Sequence, residues 1–219
     1  MVEITYDSSK PFKDRVIEAI ESTWDVRPEI KIEKNGPYAF LSEDLPKDIV
    51  KVDHTDGVGT KGTLHWEMKT FDRAVQDGFA MNANDMLIMG VEPYRIQDHI
   101  ILEKDDHEAI VKIVEEMSKL CKKHNVVISG GETAILNTVK GLEIGMTMIG
   151  IVNKNNIILP DVKEGNVVIG IESNGLHSNG FTFIRGLFLE DLKMKLSDEM
   201  YEGVSVGEEL TKPTHIYVN

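Results

Sequence analysis

Apolar positions Phe12, Val16, Ile17, Ile20 and Trp24 recur at helical spacing after Pro11, so the pattern predicts an amphipathic helix near the N-terminus. The next stretch is poorly patterned. Short extended segments are predicted at 38–41 and 49–54, the second running into a glycine-rich run at Asp56, where a strand should end. From 71 to 89 the period is helical again, and the half from Phe79 onward is apolar nearly all round, which predicts burial. Residues 94–102 read as a strand. Residues 106–124 read as a helix with Ala109, Ile110, Ile113, Val114, Met117, Leu120 and Cys121 on one side and the pairs Glu108/Lys112 and Glu115/Lys119 on the other. Further strands are predicted at 126–129, 142–152 and 167–171, and a further helix at 181–189. The mixture predicts α/β structure.

The stretch 160–165 is short and polar and ends in glycine after a strand, which makes it the best domain junction. It divides the chain into 1–160 and 161–219. The second portion offers one clear strand, one clear helix and a terminal piece at 213–218, which barely defines a core and reads as an incomplete second α/β domain.

The chain has 219 residues, 41% of them hydrophobic, enough for one sizeable core. No run of eighteen apolar residues occurs, and residues 1–10 carry acids and hydroxyls rather than a basic stretch followed by an apolar one, so a cytoplasmic protein without a membrane segment is expected. Cys121 stands alone and cannot form an internal disulfide, and no paired Cys/His spacing points to zinc. The net charge of −13, from 24 basic and 37 acidic residues, argues against a chain that wraps a nucleic-acid backbone. Mononucleotides remain compatible, since backbone N–H groups and a divalent cation can hold them.

Four strings carry candidate chemistry. Asp56-Gly57-Val58-Gly59-Thr60-Lys61 places an acid, two glycines and a lysine on a turn after a strand. Glycines let a backbone approach a ligand, an acid can hold a cation and a lysine can neutralise phosphate; an ordinary turn is the rival reading, and the spacing is not that of a Walker loop. Asn82, Asn84 and Asp85 are the polar side chains of a segment expected to be buried. A buried carboxylate must be paired or metal-bound, which makes Asp85 a magnesium candidate, with a cap or an ion pair to Arg95 as the alternative. Gly130-Gly131-Glu132-Thr133 comes after an apolar strand, at the end where open α/β sheets place ligands. Ser173-Asn174-Gly175-Leu176-His177-Ser178-Asn179-Gly180 lies between a strand and a helix, where free N–H groups and small polar side chains suit a ribose phosphate; a plain helix cap is the rival.

In this order and at these separations the strings resemble the aminoimidazole ribonucleotide synthetase superfamily, and the closing Lys212-Pro213-Thr214-His215-Ile216-Tyr217-Val218 resembles a segment from the middle of such an enzyme. The resemblance runs from about Ile49 to the C-terminus. It implies an N-terminal domain of α+β type with a mixed sheet, pairing in a homodimer whose strands share a barrel, and a C-terminal α/β domain that closes over the ligands. It also implies an ATP-dependent ligase of purine biosynthesis that closes formylglycinamidine ribonucleotide to aminoimidazole ribonucleotide with release of ADP and phosphate, a reaction that needs charge stabilisation more than a nucleophilic side chain.

By that resemblance Asp56, Lys61 and Asp85 are catalytic. Gly57, Gly59, Thr60, Asn84, Gly130, Gly131, Glu132 and Thr133 join Asp56 and Lys61 around ATP, and Asp56, Asp85 and Glu132 hold Mg2+. Ser173, Asn174, Gly175, His177, Ser178, Asn179 and Gly180 bind the substrate phosphate and ribose, and no residue is assigned as general base. Two departures stand out. Where the family carries a lysine-containing segment and a glycine-rich loop, 32–39 holds one Gly36-Pro37 pair; and the chain stops where the family continues, so it is a truncated form or one completed by a separate chain. Alternatives are another ATP-using member, of the formylglycinamidine ribonucleotide synthase, hydrogenase-maturation or thiamine-monophosphate kinase type, or a non-catalytic half-enzyme that needs a partner subunit.

Overall fold

The structure, a computed structural model, describes residues 11–35, 38–43 and 45–218. Helix α1 (Pro11–Glu21) opens on its proline and lies along α4 (His107–Lys123). Trp24 falls past the end of α1, where its indole Nε1 donates to the carbonyl of Ile128 at 3.0 Å. Next in the chain is a hairpin of β1 (Ile30–Asn35) and β2 (Tyr38–Glu43); Gly36 and Pro37 lie outside the described residues, as do residues 1–10.

The main sheet has four strands in the order β3 (Ile49–Gly57), β6 (Leu142–Asn153), β4 (Glu92–Leu102), β5 (Val127–Ile135). Neighbours β3/β6 and β6/β4 are antiparallel, and β4/β5 is parallel with α4 as the connection, so the sheet is mixed. One face carries α3 (Phe71–Leu87) and α4. Strand alternation explains the choice of face: Leu142, Ile144, Met146 and Met148 of β6 and Ile96, Ile100 and Leu102 of β4 point one way into the main core, with Phe79, Ile113 and Met117 from the helices.

Helix α4 matches its apolar stripe, and Asp106 caps it by accepting from the Ala109 N–H at 3.1 Å. Its outer ion pairs differ from those the spacing predicts. Lys112 and Lys119 both reach Glu116, at 2.6 and 2.8 Å, because Arg15 on the neighbouring α1 takes Glu115 at 3.0 Å and Glu108 at 3.7 Å.

Beyond β6 the order changes. Residues 157–180 form no regular element. The predicted strand at 167–171 is absent: Val168 and Ile169 are 94% and 83% exposed, and with no neighbouring strand to pair with among the described residues, the backbone has no ladder to join. Helix α5 (Phe181–Arg185) is five residues long and passes into a wider turn of the π type over 186–191. A small ribbon, β7 (Glu199–Tyr201) with β8 (Val204–Ser205), leads to α6 (Val206–Leu210), closed by a capping box between Ser205 and Glu208. Phe181, Val206 and Leu210 form a small cluster, with Ile184, Phe188 and Leu196 packed against it, and Leu64 of α2 (Lys61–Met68) joins it, so this portion packs onto the first.

Candidate functional site

Strand β3 delivers Asp56 and Gly57 at its end, and the chain then turns through Val58, Gly59 and Thr60 into α2. Gly59 adopts φ +60, and a Cβ there would meet nothing within 4 Å, so the turn is open on that side. Gly57 is confined instead: its Cβ would stand 2.5 Å from Glu143 Oε1, the same oxygen that accepts from the Gly59 N–H at 3.0 Å. Asp56 Oδ1 accepts from the Gly57 N–H at 2.7 Å.

Facing this loop is the later turn. Residues 56–60, Met81 and 178–183 line one cleft of about 540 Å³, and Thr60 Oγ1 lies 3.0 Å from Thr182 Oγ1 across it. The structure thus brings together the first and last of the four strings. Within the last, Asn179 and Gly180 are exposed and Ser178 is buried. His177 sits in the left-handed region at φ 54, and its Nε2 accepts from the Asn174 N–H at 3.0 Å, which offsets a conformation that side chains disfavour. Ser173 and Gly175 are exposed outside the cleft, and Asn174 Nδ2 donates to the Pro213 carbonyl at 2.9 Å.

Lys61 does not face the cleft. It is fully buried, and its Nζ donates to Asp77 Oδ2 at 2.8 Å, the His177 carbonyl at 2.7 Å and the Lys212 carbonyl at 2.6 Å. Burial holds the ammonium below the usual lysine range, against the pull of the Asp77 charge. Burial works to raise the Asp77 carboxyl, but the hydrogen bond from His65 and the charge of Lys61 outweigh it and keep it below the usual carboxylate range.

Asp85 also differs from expectation. Its side chain is 57% exposed and its Oδ2 lies 3.1 Å from His54 Nε2, because the last turn of α3 overhangs the sheet, as the exposure of Leu87 and Ile88 shows. The neighbour of its carboxylate is thus His54, not Arg95. Asn82 links this patch to the loop: its Oδ1 lies 3.0 Å from His54 Nδ1, and its Nδ2 donates to the Asp56 carbonyl at 3.3 Å. Asn84 clamps the C-terminal segment, donating to the His215 carbonyl at 2.7 Å and accepting from the Tyr217 N–H at 2.9 Å.

Gly130, Gly131, Glu132 and Thr133 lie inside β5 rather than after a strand, and the strand continues through them because β4 supplies paired backbone as far as Ile135. That places Glu132 on the far side of the sheet from Asp56, with β6 and β4 between, three strand spacings or about 14 Å away. Among the described residues no three His, Cys, Asp or Glu side chains converge in a way that would hold a metal ion. The set Asp56, Asp85 and Glu132 is therefore not assembled as one site. Asp77, His65, Glu143 and Asp98 carry no motif signal, Thr214 stands in the closing 212–218 string without a role assigned to it, and only the fold reveals their partners.

Comparison with known proteins decides the family. Residues 39–152 match the family described as AIR synthase related protein, N-terminal domain. The chain belongs to this family. It is 35% identical over 214 residues to the phosphoribosylformylglycinamidine cyclo-ligase of Methanocaldococcus jannaschii, covering 94% of this chain and 59% of that protein. With the protein of the same name from Alkaliphilus oremlandii it is 40% identical over 177 residues, 78% of this chain and 52% of the relative. The chain thus spans little more than half the length of these relatives. The crystal structure of thiamine-monophosphate kinase from Stenotrophomonas maltophilia K279a overlaps it with a TM-score of 0.48 at 16% identity, covering 66% of this chain and 43% of that one. The region matched to the AIR synthase related family holds the 56–60 loop, α3 and the glycine pair of β5; the 173–180 turn lies beyond it.

Proposed function

We propose that the chain acts in the ATP-dependent closure of formylglycinamidine ribonucleotide to aminoimidazole ribonucleotide, a step of purine biosynthesis in the cytoplasm. The observation that carries this reading is the single cleft formed by 56–60 and 178–183, where Asp56, the turn glycines Gly57, Gly59 and Gly180 and the small polar side chains Thr60, Ser178, Asn179 and Thr182 stand among the apolar Val58, Met81, Phe181 and Phe183, so that backbone N–H and hydroxyl groups for a phosphate ester lie beside an apolar wall. The name shared by the long relatives supports the same chemistry. The γ-phosphoryl group of ATP passes to the formyl-amide oxygen, an amidine nitrogen attacks the activated carbon, and phosphate leaves with the oxygen as the ring closes.

Magnesium fits as an ion that arrives with nucleotide phosphates, which commonly supply most of its coordination beside one or two carboxylates. Asp56, lining the cleft, and Asp85, exposed nearby, are the carboxylates placed for this; Glu132 is too distant. Gly57, Gly59 and Thr60 lie against the nucleotide, and Asn179 and Gly180 against the substrate phosphate. The division at about residue 160 and a homodimer joined through the sheet belong to the same proposal.

A second reading is a half-enzyme that binds a nucleotide and turns over only with the remaining length of its relatives, in the same or a separate chain. It is favoured by the exposed apolar run at 167–171, which needs a covering strand. Calorimetry with Mg-ATP and with formylglycinamidine ribonucleotide, each titrated into the purified chain, separates the two when combined with a turnover assay. Binding of both with phosphate release is expected of the cyclo-ligase. Binding without turnover leaves the half-enzyme, and binding of neither removes both readings for the chain alone.

A further inference from the structure

The buried group of Lys61, Asp77, His65 and Thr214 lies directly behind the cleft, and its hydrogen bonds can be counted proton by proton. An ammonium has three N–H donors, and those of Lys61 are all spent, on Asp77, the His177 carbonyl and the Lys212 carbonyl. None is left for a phosphate. Asp77 Oδ2 receives Lys61 and, at 2.8 Å, His65 Nε2; Oδ1 receives the Thr214 N–H at 2.7 Å and the Thr214 hydroxyl at 2.9 Å. The carboxylate takes the proton on His65 Nε2, and burial, which holds the ring below the ordinary histidine range, keeps it neutral and leaves Nδ1 to accept from Thr70 Oγ1 at 2.7 Å.

The chain of donors continues outward. The Thr214 hydroxyl proton is committed to Asp77, so at the 2.8 Å contact between Ser178 and Thr214 it is Ser178 that donates. The Ser178 hydroxyl is therefore turned inward, in keeping with its burial, and the turn is tied at two successive residues: His177 through its carbonyl and Ser178 through its hydroxyl.

We propose that Lys61, Asp77 and Thr214 are positioning residues that hold the turn 177–180 against the loop 56–60 and so set the shape of the anion cleft. The proposal rests on the reading of that cleft as a phosphate site only for its effect on binding; the positioning itself is a property of the fold.

Thr214→Val keeps the side-chain volume and deletes the hydroxyl between Asp77 and Ser178, Thr214→Ser restores it, and Ser178→Ala cuts the tie while sparing the Asp77 group. Amide hydrogen exchange reads the turn directly, and calorimetry with ribose 5-phosphate reads the cleft. In Thr214→Val and Ser178→Ala, exchange at 177–182 should quicken by about tenfold or more while amides of β6 and β4 keep their protection, and ribose 5-phosphate should bind about tenfold more weakly. Thr214→Ser should match the parent in both. A merely structural threonine would loosen sheet and turn alike. Unchanged exchange at 177–182 in Ser178→Ala and in folded Thr214→Val overturns the inference; a parent chain that fails to bind ribose 5-phosphate overturns the phosphate reading of the cleft and leaves the exchange result to decide the positioning.

Discussion

Asp77 on α3 accepts from both the main-chain N–H and the hydroxyl of Thr214, at 2.7 and 2.9 Å, so a helix of the central layer and the last segment of the chain share one fully buried carboxylate. Lys61 is the cation that balances it. Lys61→Met retains the stem and removes the charge, leaving Asp77 buried beside a neutral histidine. Breaking a buried pair from one side costs about 3–5 kcal/mol, which urea unfolding will register as a lower midpoint. The pH profile adds a sign. The Asp77 carboxyl is held below its ordinary range, so its contribution is present above that range and lost as pH falls through the folded value. Without Lys61 that acid loss should begin at higher pH. An unchanged midpoint and acid limb would show that the pair does not stabilise the fold.

Gly62→Ala and Gly57→Ala separate rigid from yielding neighbours. A Cβ on Gly62 would overlap the Leu142 carbonyl oxygen, part of β6, whereas on Gly57 it first meets the end of the Glu143 side chain at 2.5 Å. Backbone cannot swing aside, so Gly62→Ala should cost about 1–3 kcal/mol or more. Gly57→Ala should cost less, but moving Glu143 frees the Gly59 N–H and loosens the loop. Thermal unfolding of both variants checks the order, and a larger loss in Gly57→Ala would contradict it.

Asp85→Asn tests the exposed carboxylate near the cleft. With its side chain 57% exposed and a histidine as its partner, the change should alter stability by no more than about 0.5 kcal/mol. If Asp85 shares a magnesium ion with nucleotide phosphates, Mg-ATP should bind about tenfold more weakly, an effect seen by calorimetry and absent when ATP is titrated without the metal. Equal affinity for Mg-ATP in the variant and the parent takes Asp85 out of the site.

Periodicity is informative wherever a side chain's environment is decided by its own element. The stripe from Ala109 to Cys121 yields α4, and the alternation from Leu142 to Val152 yields β6, within a residue or two of their observed ends. It fails where the environment comes from far along the chain. The apolar run 167–171 has strand composition but no partner strand among the described residues. Asp85 sits among apolar neighbours in sequence, yet the helix end that carries it projects past the sheet. Lys61 reads as a phosphate ligand because it comes after a glycine turn; the carbonyls that consume its donors lie 116 and 151 residues away. Asp77 looks like an ordinary helix acid, and the 212–218 string marks Thr214 without saying what it touches, until the fold sets the two together.

Asp98 carries a pH dependence of the opposite sign. It stands between Ile96 and Ile100 on the helix side of β4, with the bare backbone of Gly131 beside it, where a Cβ would strike its carboxylate. Burial pushes the carboxyl up to about 7, its own backbone hydrogen bond works against this, and the charge of Glu132 adds to the rise. The folded value lies above the unfolded one, so between about 4 and 7 the folded chain binds the extra proton, and stability falls as pH rises by about 1.4 kcal/mol for each unit at most. Above that window the loss is complete. Asp98→Asn has the same shape and no proton to lose, so its advantage over the parent should be small at about pH 5 and largest at about pH 8. Histidines such as His65 and His177, lowered by burial, impose the reverse slope on both proteins, stability rising with pH through the ordinary histidine range, and cancel in the difference. Urea unfolding of the two proteins across this range measures that difference, and a constant gap would mean that Asp98 is already ionised in the folded chain at the acid end.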